Sequence, residues 1–220
     1  MLDTVAASLS EAGDLSETLI RITHAARDNV PGADQASVSV RHADGHVETV
    51  APTDQVAERA DQIQYELREG PCYDVLIDDE VITYSADLAN ESRWSKYGPR
   101  ANALGLGSQM AIRLTEHNES YTGLNLYSRD VHAFDDTPTV ALLFSSHAKV
   151  ALGYAQELES LNAAVMNRQV IGQAVGIVVE RYGLNEERAF EFLVRVSQTS
   201  NTKLRDVAAD IVKTTVDKVS

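Results

Sequence analysis

The sequence predicts an α+β protein in which an antiparallel sheet with flanking helices is followed by a wholly helical C-terminal part. The sheet is indicated by residues 36–50 and 108–129, where apolar and polar side chains alternate on both sides of turn residues. The helical part is indicated from residue 139 onward, where apolar residues recur at spacings of three and four. No alternating stretch follows residue 163, so we expect no strand there.

The first part begins with an amphipathic helix within residues 3–29, because apolar residues recur there at helical spacing. A hairpin follows and turns at Asp44-Gly45, a dipeptide typical of tight hairpin turns. The remaining predicted elements are, in order, a helix at 54–69 closed by EGPC, a short strand EVITY at 80–84, a polar helix and loop at 90–105, and two strands at 108–115 and 119–129 separated by EHN.

One long helix is predicted from a heptad pattern formed by Val140, Phe144, His147, Ala151, Tyr154, Leu158, Leu161 and Val165. Such a stripe packs either on the sheet or on the same helix of a second chain. We expect the first half to pack on the sheet, and we expect a homodimer through the 140–165 helix. The helix should run on without a break, because no proline or glycine linker separates the two parts.

Two shorter helices complete the predicted C-terminal bundle. The first is capped by Asn185. Its apolar face is predicted to contain Phe190, Leu193, Val194 and Ser197. The face of the second contains Leu204, Val207, Ala208, Ile211, Val212 and Thr215. The predicted domains are therefore 1–150, a connecting helix at 151–162, and 163–220.

Charge divides the chain at the same place. The net charge of the whole chain is -14. Residues 163–220 contain 8 Lys/Arg and 7 Asp/Glu, a net of +1, so the rest has 19 − 8 = 11 basic and 33 − 7 = 26 acidic residues, a net of −15. This balance excludes a strongly basic, nonspecific nucleic-acid binder. The sequence has neither an apolar run long enough for a membrane span nor a secretory N-terminus, which predicts a cytoplasmic protein.

Motifs for catalysis or metal binding are missing from the sequence, so we expect no enzyme, cofactor or metal. His42 and His46 flank the predicted hairpin turn, which accounts for them better than a metal site does. Cys72, the only cysteine, follows Gly70-Pro71. It is either a reactive thiol at a helix start or, as we favour, a buried and inert one.

Basic and aromatic side chains crowd one segment of the acidic part, namely Arg93, Trp94, Lys96, Tyr97 and Arg100. This segment either closes over an anionic or aromatic ligand, or packs Trp94 and Tyr97 on the core while its charges stay in water. The candidate ligand-binding residues are Cys72, Trp94 and Tyr97.

Two glycines lie on one face of the predicted helix in the stretch NRQVIGQAVGIVVERYGL. Gly172 and Gly176 each weaken a helix by about 1 kcal/mol relative to alanine. Arg168 lies one turn earlier on the same stripe. The bare face permits close approach by another backbone, protein or nucleic acid, or else close packing inside the bundle. Lys203 and Arg205 begin the last helix, where free N–H groups already favour an anion.

Residues 168–212 resemble the ANTAR domain, a three-helix RNA-binding module of bacterial antitermination regulators. The resemblance is carried by Arg168, by the Ala174–Gly176 pair, by AF at 189–190, by the L and S at 193 and 197, and by N…KL..VA at 201–208. Val175 departs from the family, which usually has lysine there. The resemblance implies an RNA-binding set of Arg168, Ala174, Gly176, Ser197, Asn201, Lys203 and Arg205.

Each of these residues has an expected role. Arg168, Lys203 and Arg205 are expected to contact phosphate. Ser197 and Asn201 are expected either to hydrogen-bond loop bases or to cap the last helix. In the family, dimers bind paired RNA stem-loops with hexanucleotide loops, which prevents a terminator from forming.

Residues 10–150 resemble a GAF domain, a small-molecule sensor fold. The carriers are LREGPCYDVLIDDEVITYSADL and RWSKYGPRA. This resemblance implies a sensor that controls RNA binding through the long helix. The signal would be either a small molecule, such as a nucleotide, or a redox change sensed at Cys72. A third alternative is that the domain binds no signal and serves only dimerisation.

Three rival functions are weighed against this interpretation. Some GAF proteins are methionine sulfoxide reductases, but that chemistry relies on more than one cysteine. A DNA-binding transcription factor would use the last two helices as a helix-turn-helix, but the link QTSNT lacks the usual glycine. A protein–protein signalling module would dock its partner on the glycine face.

Overall fold

The computed structural model describes residues 14–77, 80–117 and 119–216. The chain divides into two compact units, and the division falls between Gln156 and Glu157. The first unit contains the sheet and the second is helical, so the predicted α+β class is confirmed. Within the described residues, no helix is both long enough and apolar enough to cross a membrane.

The first unit is built on one five-stranded antiparallel sheet in the order β2-β1-β5-β4-β3. The strands are β1 Gln35–Arg41, β2 Val47–Val50, β3 Ile82–Ser85, β4 Ser108–His117 and β5 Ser120–Ser128. The helices are α1 Leu15–Asn29, α2 Gln55–Leu67, α3 Pro71–Ile77 and α4 Tyr97–Ala103, with a 3-10 turn at Leu88–Asn90. The part of the first predicted helix before residue 14 lies outside the described residues.

Both predicted hairpins are present. β1 and β2 pair from Arg41 opposite Val47, and Gly45 in the turn between them has a φ of 86°. Glycine adopts this left-handed conformation without steric cost. In the second hairpin β4 continues to His117, which pairs with Ser120. Residues 116 and 117, expected in the turn, therefore belong to the strand.

The two faces of the sheet differ in polarity although both are covered. One face is apolar and packs against α1 and the first part of the long helix α5, Pro138–Tyr182. The opposite face lies under α2, α3 and α4 and includes Ser37, Ser39, Gln109, Asn125 and Tyr127, all of them buried. The alternation in β1 therefore separates an apolar from a polar interior, rather than interior from solvent.

The long helix α5 is continuous through residues 151–162, the expected connecting segment. On the sheet it buries Ala141, Phe144, Ala148 and Leu152. This stripe is shifted from the predicted heptad, since Tyr154 is 61% exposed. The heptad pattern predicted the helix and the packing of Phe144 and Ala151 correctly, but it did not predict Ala141, Ala148 and Leu152 on the sheet.

The second unit is a three-helix bundle made by the end of α5, by α6 Glu186–Ser200 and by α7 Leu204–Val216. Its core contains Ala174, Val178, Ala189, Leu193, Val207 and Ala208. Phe190, predicted on the apolar face of α6, is 44% exposed. The predicted cap of α6 is confirmed, because the Asn185 side chain accepts a hydrogen bond from the Arg188 N–H at 2.9 Å. Gly183, with a φ of 65°, ends α5.

Candidate nucleic-acid interface and sensor interior

The helices of the second unit bring Arg168, Lys203 and Arg205 to one end of the bundle. Short links reverse the chain after α5 and again after α6, so α7 runs in the same direction as α5. Near the ends of both helices, Arg181 Nη2 donates to Thr215 Oγ1 at 3.2 Å. Counting back equally along both helices brings Leu204 near the level of Val170. Arg168 and the start of α7 therefore lie at the same end of the bundle.

The glycine face is open. A Cβ built on Gly172 or on Gly176 would meet no atom within 4 Å. The glycines thus make no close contact inside this chain, and packing within the bundle does not explain them. They form the floor of a groove of about 610 Å³, lined by Arg168, Ile171, Gly172, Val175, Gly176, Val179, Glu186, Glu187 and Phe190. We call it the glycine groove.

The two ends of the glycine groove carry charges of opposite sign. Arg168 lies at one end of its α5 side. Glu186 and Glu187, in the first turn of α6, line the wall near the other end of the α5 segment. The exposed ring of Phe190 and the Val175 side chain add apolar surface between them. An anion is therefore attracted to the Arg168 end and repelled from the Glu186 end.

The basic residues at this end are exposed. Arg205 Nε is 3.2 Å from Asp206 Oδ1, a pair in which both side chains are about half exposed. Neither Arg168 nor Lys203 forms a salt bridge within the described part of the chain. Lys203 precedes α7, and its carbonyl accepts from the N–H groups of Asp206 and Val207. Both cations are thus available to a partner.

Three residues of the expected RNA-binding set have structural roles within this chain. Ala174 is fully buried in the bundle core, so its side chain is out of reach of RNA. Ser197 Oγ donates to the Thr202 carbonyl at 2.6 Å and fixes the link to α7. Asn201 does not cap α7. It ends α6 in a left-handed conformation with a φ of 51°, and its N–H bonds to the Ser197 carbonyl. Its exposed side chain still lies at the basic end.

The interior of the first unit holds a connected set of polar side chains, all buried except the half-buried Thr49 and Tyr65. We call it the polar cluster, and its members are Ser37, Ser39, Thr49, Asp61, Gln64, Tyr65, Cys72, Tyr97, Gln109, Asn125 and Tyr127. It fills the space between the polar face of the sheet and α2, α3 and α4.

Asp61 is the charged centre of the polar cluster. Its carboxylate accepts from Ser37 at 2.6 Å, from Asn125 at 3.0 Å, from Thr49 at 3.1 Å and from the Tyr127 hydroxyl. The side chain is fully buried, and this desolvation raises the pKa of Asp61 to about 6 despite the hydrogen bonds, which act to lower it. Asn125 Oδ1, also buried, has no hydrogen-bond partner among the described residues.

The three residues expected to bind a ligand are buried. Burial raises the pKa of the Cys72 thiol, whose Sγ donates to Ser39 Oγ at 3.1 Å. The Tyr97 hydroxyl donates to Gln109 Oε1 within the same polar cluster. Trp94 lies in an adjoining apolar cluster, and its Nε1 donates to Asp74 Oδ2 at 3.0 Å. The structure therefore brings Cys72 and Tyr97 into one network and leaves Trp94 beside it.

The basic and aromatic segment is packed on the protein. The Arg93 guanidinium lies 4.4 Å from the Trp94 ring centroid and 2.6 Å from Glu91 Oε2. This hydrogen-bonded pairing lowers the pKa of Glu91 to about 2. An adjacent pocket of about 980 Å³ is lined by Glu80, Asp87 and Glu91 as well as Arg93, so acidic groups outnumber basic ones in its lining. The segment therefore packs Trp94 and Tyr97 on the core and does not form a basic lid over a ligand.

The two hairpin histidines contact each other and an acidic side chain. His42 Nε2 is 2.7 Å from Glu48 Oε1, and its ring stacks on His46 with centroids 5.9 Å apart. Groups of three or more His, Cys, Asp or Glu side chains arranged to hold a metal ion are absent from the described residues.

Comparison with known proteins gives separate matches for the two units of the chain. Residues 159–212 match the ANTAR domain family. No curated protein matches the chain. A GAF domain from a Coxiella burnetii phosphoenolpyruvate-protein phosphotransferase matches with a TM-score of 0.55 and 16% identity, over 72% of this chain and 94% of the other.

Two further solved structures have the same fold. A bacteriophytochrome from R. palustris gives a TM-score of 0.58 at 13% identity over 87% of this chain, which spans 45% of that protein. A free methionine-R-sulfoxide reductase from Neisseria meningitidis gives 0.52 at 9% identity, over 71% and 89% of the two chains. At these identities the likeness shows the fold alone.

The fold and the match define a protein with a GAF-type first unit and a helical second unit. More particularly, the chain contains a C-terminal ANTAR domain at 159–212, and its first unit has the fold of a GAF domain. Both predicted resemblances are confirmed.

Proposed function

We propose that this protein is a cytoplasmic RNA-binding antitermination regulator whose ANTAR domain binds paired RNA stem-loops. The observation that carries the proposal is the open glycine groove, which begins at Arg168 within the matched ANTAR residues. Two glycines on an exposed helix face are unfavourable for the helix, so a close approach from outside accounts for them. The first unit controls this binding through α5, and the active form is a homodimer.

The arrangement of charges suggests how an RNA loop enters. Arg168, Lys203 and Arg205, at one end of the bundle, hold the phosphates. The loop then lies along the groove, where Gly172 and Gly176 let a base or sugar come close to the helix backbone. Glu186 and Glu187 repel phosphate from the far end, so the backbone leaves the groove before it reaches them. Val175 supplies apolar surface where the family usually places a lysine.

The modest charge of the second unit favours a loop over a duplex. A net of +1 over residues 163–220 is too small for binding dominated by phosphate neutralisation. Single-stranded loops offer unstacked bases that contribute contacts beyond the phosphates. A dimer that engages two stem-loops gains further affinity from effective concentration. The affinity would then depend on the loop sequence and on the pairing of the stem-loops.

The polar cluster is the proposed site of signal reception. Asn125 Oδ1 is a buried acceptor without a donor, which is an unfavourable state that a ligand N–H or O–H would relieve. Cys72 belongs to the same cluster, but its thiol is buried and held protonated. A small molecule that enters the cluster therefore accounts for these features better than direct oxidation of Cys72.

The test is a gel-shift titration with a paired stem-loop RNA bearing hexanucleotide loops. Arg168→Ala and Lys203→Ala should each weaken binding by about tenfold, as expected for loss of a charged contact. The slope of log affinity against log salt should also fall by about 0.7 per lost phosphate contact. Arg188→Ala is the matched control, because Arg188 is exposed at the other end of the bundle.

Competitors identify the kind of partner. The same RNA with scrambled loops and a duplex DNA of equal length should compete poorly. Equal competition by the duplex DNA would replace the proposal with a DNA-binding function. Affinity unchanged in Arg168→Ala and Lys203→Ala would reject the glycine groove and its basic end as the RNA site.

A further inference from the structure

A second pocket of the first unit lies at the hairpin end of the sheet, between the β1–β2 hairpin, the end of α2 and helix α3. Its volume of about 420 Å³ is typical of a small-molecule site. We call it the arginine pocket. The residues of its lining that matter here are Arg41, His46, Val47, Tyr65, Arg68 and Tyr73.

The arginine pocket differs in charge from the acidic part of the chain in which it lies. The chain before residue 163 has a net charge of −15. Arg41 and Arg68 are the charged residues of the pocket, and no Asp or Glu lines it within the described part of the chain. A small anion is therefore attracted to the pocket, whereas the surrounding carboxylates repel an extended polyanion such as RNA.

The two arginines are not neutralised by other side chains. Among residues 14–77, 80–117 and 119–216, neither Arg41 nor Arg68 forms an ion pair with a carboxylate. The Arg41 Cζ atom lies 5.3 Å from the centroid of the Tyr121 ring, a cation–π contact that orients the guanidinium. A guanidinium held by its face keeps the N–H groups of its plane for an acceptor.

Arg68 occupies a backbone position that favours glycine. It ends α2 in a left-handed conformation with a φ of 55°, and its N–H bonds to the Gln64 carbonyl. Glycine ends a helix in this conformation at the lowest steric cost. An exposed arginine stands there instead, at the edge of a pocket. Backbone strain that persists beside a pocket is typical of a binding site.

Two guanidinium groups from separate elements suit a phosphate better than a carboxylate. Each guanidinium can donate a pair of parallel N–H bonds to an oxyanion. A phosphate monoester has three acceptor oxygens and about two negative charges at neutral pH, so it can engage both arginines. A carboxylate has a single charge and is satisfied by one arginine. Tyr73 and Val47 add surface for the uncharged part of the ligand.

Tyr65 joins the arginine pocket to the polar cluster. Tyr65 lines the pocket, and its hydroxyl is hydrogen-bonded to Ser39 Oγ and, at 3.0 Å, to Thr49 Oγ1. Ser39 Oγ in turn accepts from Asn125 Nδ2 at 2.8 Å. A ligand that contacts Tyr65 is therefore separated from Asn125 by two hydrogen bonds.

We propose that the first unit binds a small phosphate monoester in the arginine pocket. Arg41 and Arg68 hold the phosphate, and the uncharged part of the ligand lies against Tyr73. The site is outside the polar cluster and touches it at Tyr65. An effect of this ligand on RNA binding rests on the proposed function, whereas the phosphate site itself does not.

Calorimetric titration of the full-length protein without RNA tests the site. The probes are phenyl phosphate and benzoate, which share a ring and differ in the anionic group, at constant ionic strength. Phenyl phosphate should bind saturably, with one molecule per chain and at least tenfold more tightly than benzoate. No saturable binding of phenyl phosphate would reject the site, and equal affinity for benzoate would overturn the assignment of a phosphate ligand.

Arg68→Gly is the decisive variant, because glycine suits the left-handed position and the fold should be at least as stable as before. It should weaken the binding of phenyl phosphate by about tenfold, and so should Arg41→Ala. Arg59→Ala is the matched control, since Arg59 is an exposed arginine of α2 that lies 3.5 Å from Glu66 and does not line the pocket. Parental affinity in both Arg68→Gly and Arg41→Ala would overturn the proposal.

A gel shift with the paired stem-loop RNA separates this site from the RNA site. In the absence of phosphate monoesters, Arg68→Gly should bind RNA as tightly as the parent protein. Weakened RNA binding by Arg68→Gly would identify the pocket as an RNA contact and overturn its assignment to a small ligand. If the parent protein fails to bind RNA, the failure belongs to the proposed function, and the titration with phenyl phosphate decides the site independently.

Discussion

Asp61 shows how much one buried carboxyl group affects the first unit. Its pKa is raised from 3.8 to about 6 by burial. Between these two values the folded protein keeps a proton that the unfolded chain has lost, so the free energy of unfolding falls as the pH rises through this range. The difference of about two pKa units corresponds to about 3 kcal/mol. The stabilising contribution is present below about pH 4 and is lost above about pH 6.

Asp61→Asn removes this titration. As the pH rises from 4 to 7, the free energy of unfolding of the parent protein should fall by about 3 kcal/mol relative to that of the variant. Urea unfolding followed by the fluorescence of Trp94, the only tryptophan, measures the difference. The control is Asp136→Asn, which removes an exposed carboxylate from the surface of the same unit. A difference between parent and Asp61→Asn that stays constant with pH would contradict the raised pKa.

At the residue scale, exposed cations are predictable from the sequence, whereas buried polar groups are not. Arg168, Lys203 and Arg205 were recognised from charge and position, and all three are exposed. Asp61 was missed because the stretch ADQIQY looks like the solvent face of an amphipathic helix. Its burial depends on Ser37 and Asn125, which are distant in sequence and contact it only after the sheet has formed.

At the element scale, substitution of the α5 glycines should affect helix stability and RNA binding in opposite directions. Alanine at Gly172 or Gly176 meets no atom within 4 Å, so each substitution should stabilise the helix by about 1 kcal/mol. If RNA approaches the groove floor closely, the same methyl group should weaken RNA binding. We therefore expect Gly176→Ala to raise the thermal midpoint of the second unit and to lower RNA affinity, measured by circular dichroism and gel shift.

Gly153→Ala provides the matched control. Gly153 is also an exposed glycine of α5 whose added Cβ would meet no atom within 4 Å, and it lies outside the ANTAR match. This variant should gain helix stability without any loss of RNA affinity. Equal RNA affinity in Gly176→Ala, Gly172→Ala and the parent protein would show that RNA does not approach the groove floor.

The elements themselves were largely predictable, and their environments were not. Alternation identified the strands correctly because side chains on a strand point to opposite faces. It did not reveal that the polar face of β1 is buried under helices. Likewise, the spacing of three and four identified α5, but Phe144 proved to face the sheet, while Tyr154 proved to be exposed. Periodicity defines a face and does not specify what covers it.

At the scale of the whole molecule, the two units have separate cores and should unfold separately. Leu193 is fully buried in the core of the second unit, so Leu193→Ala should destabilise that unit by about 2–5 kcal/mol. Trp94 is buried in the first unit and reports only on it. We expect Leu193→Ala to lower the midpoint seen by far-ultraviolet circular dichroism while the midpoint seen by Trp94 fluorescence stays unchanged.

The corresponding variant in the first unit is Leu124→Ala, which removes a fully buried side chain from the apolar face of the sheet. It should shift the Trp94 transition. If Leu193→Ala instead moved both midpoints by the same amount, the two units would form one cooperative folding unit, contrary to the division between Gln156 and Glu157.

The continuity of α5 limits how proteins built on this plan can change in length. A residue inserted between Leu161 and Arg168 would turn the glycine groove by about 100° relative to Leu158 and Leu161 on the same helix. An insertion of seven residues nearly restores the original direction, because seven residues make almost two full turns. Related chains should therefore tolerate gain or loss in this segment mainly in steps of seven residues, whereas loops at the sheet edges are free to vary one residue at a time.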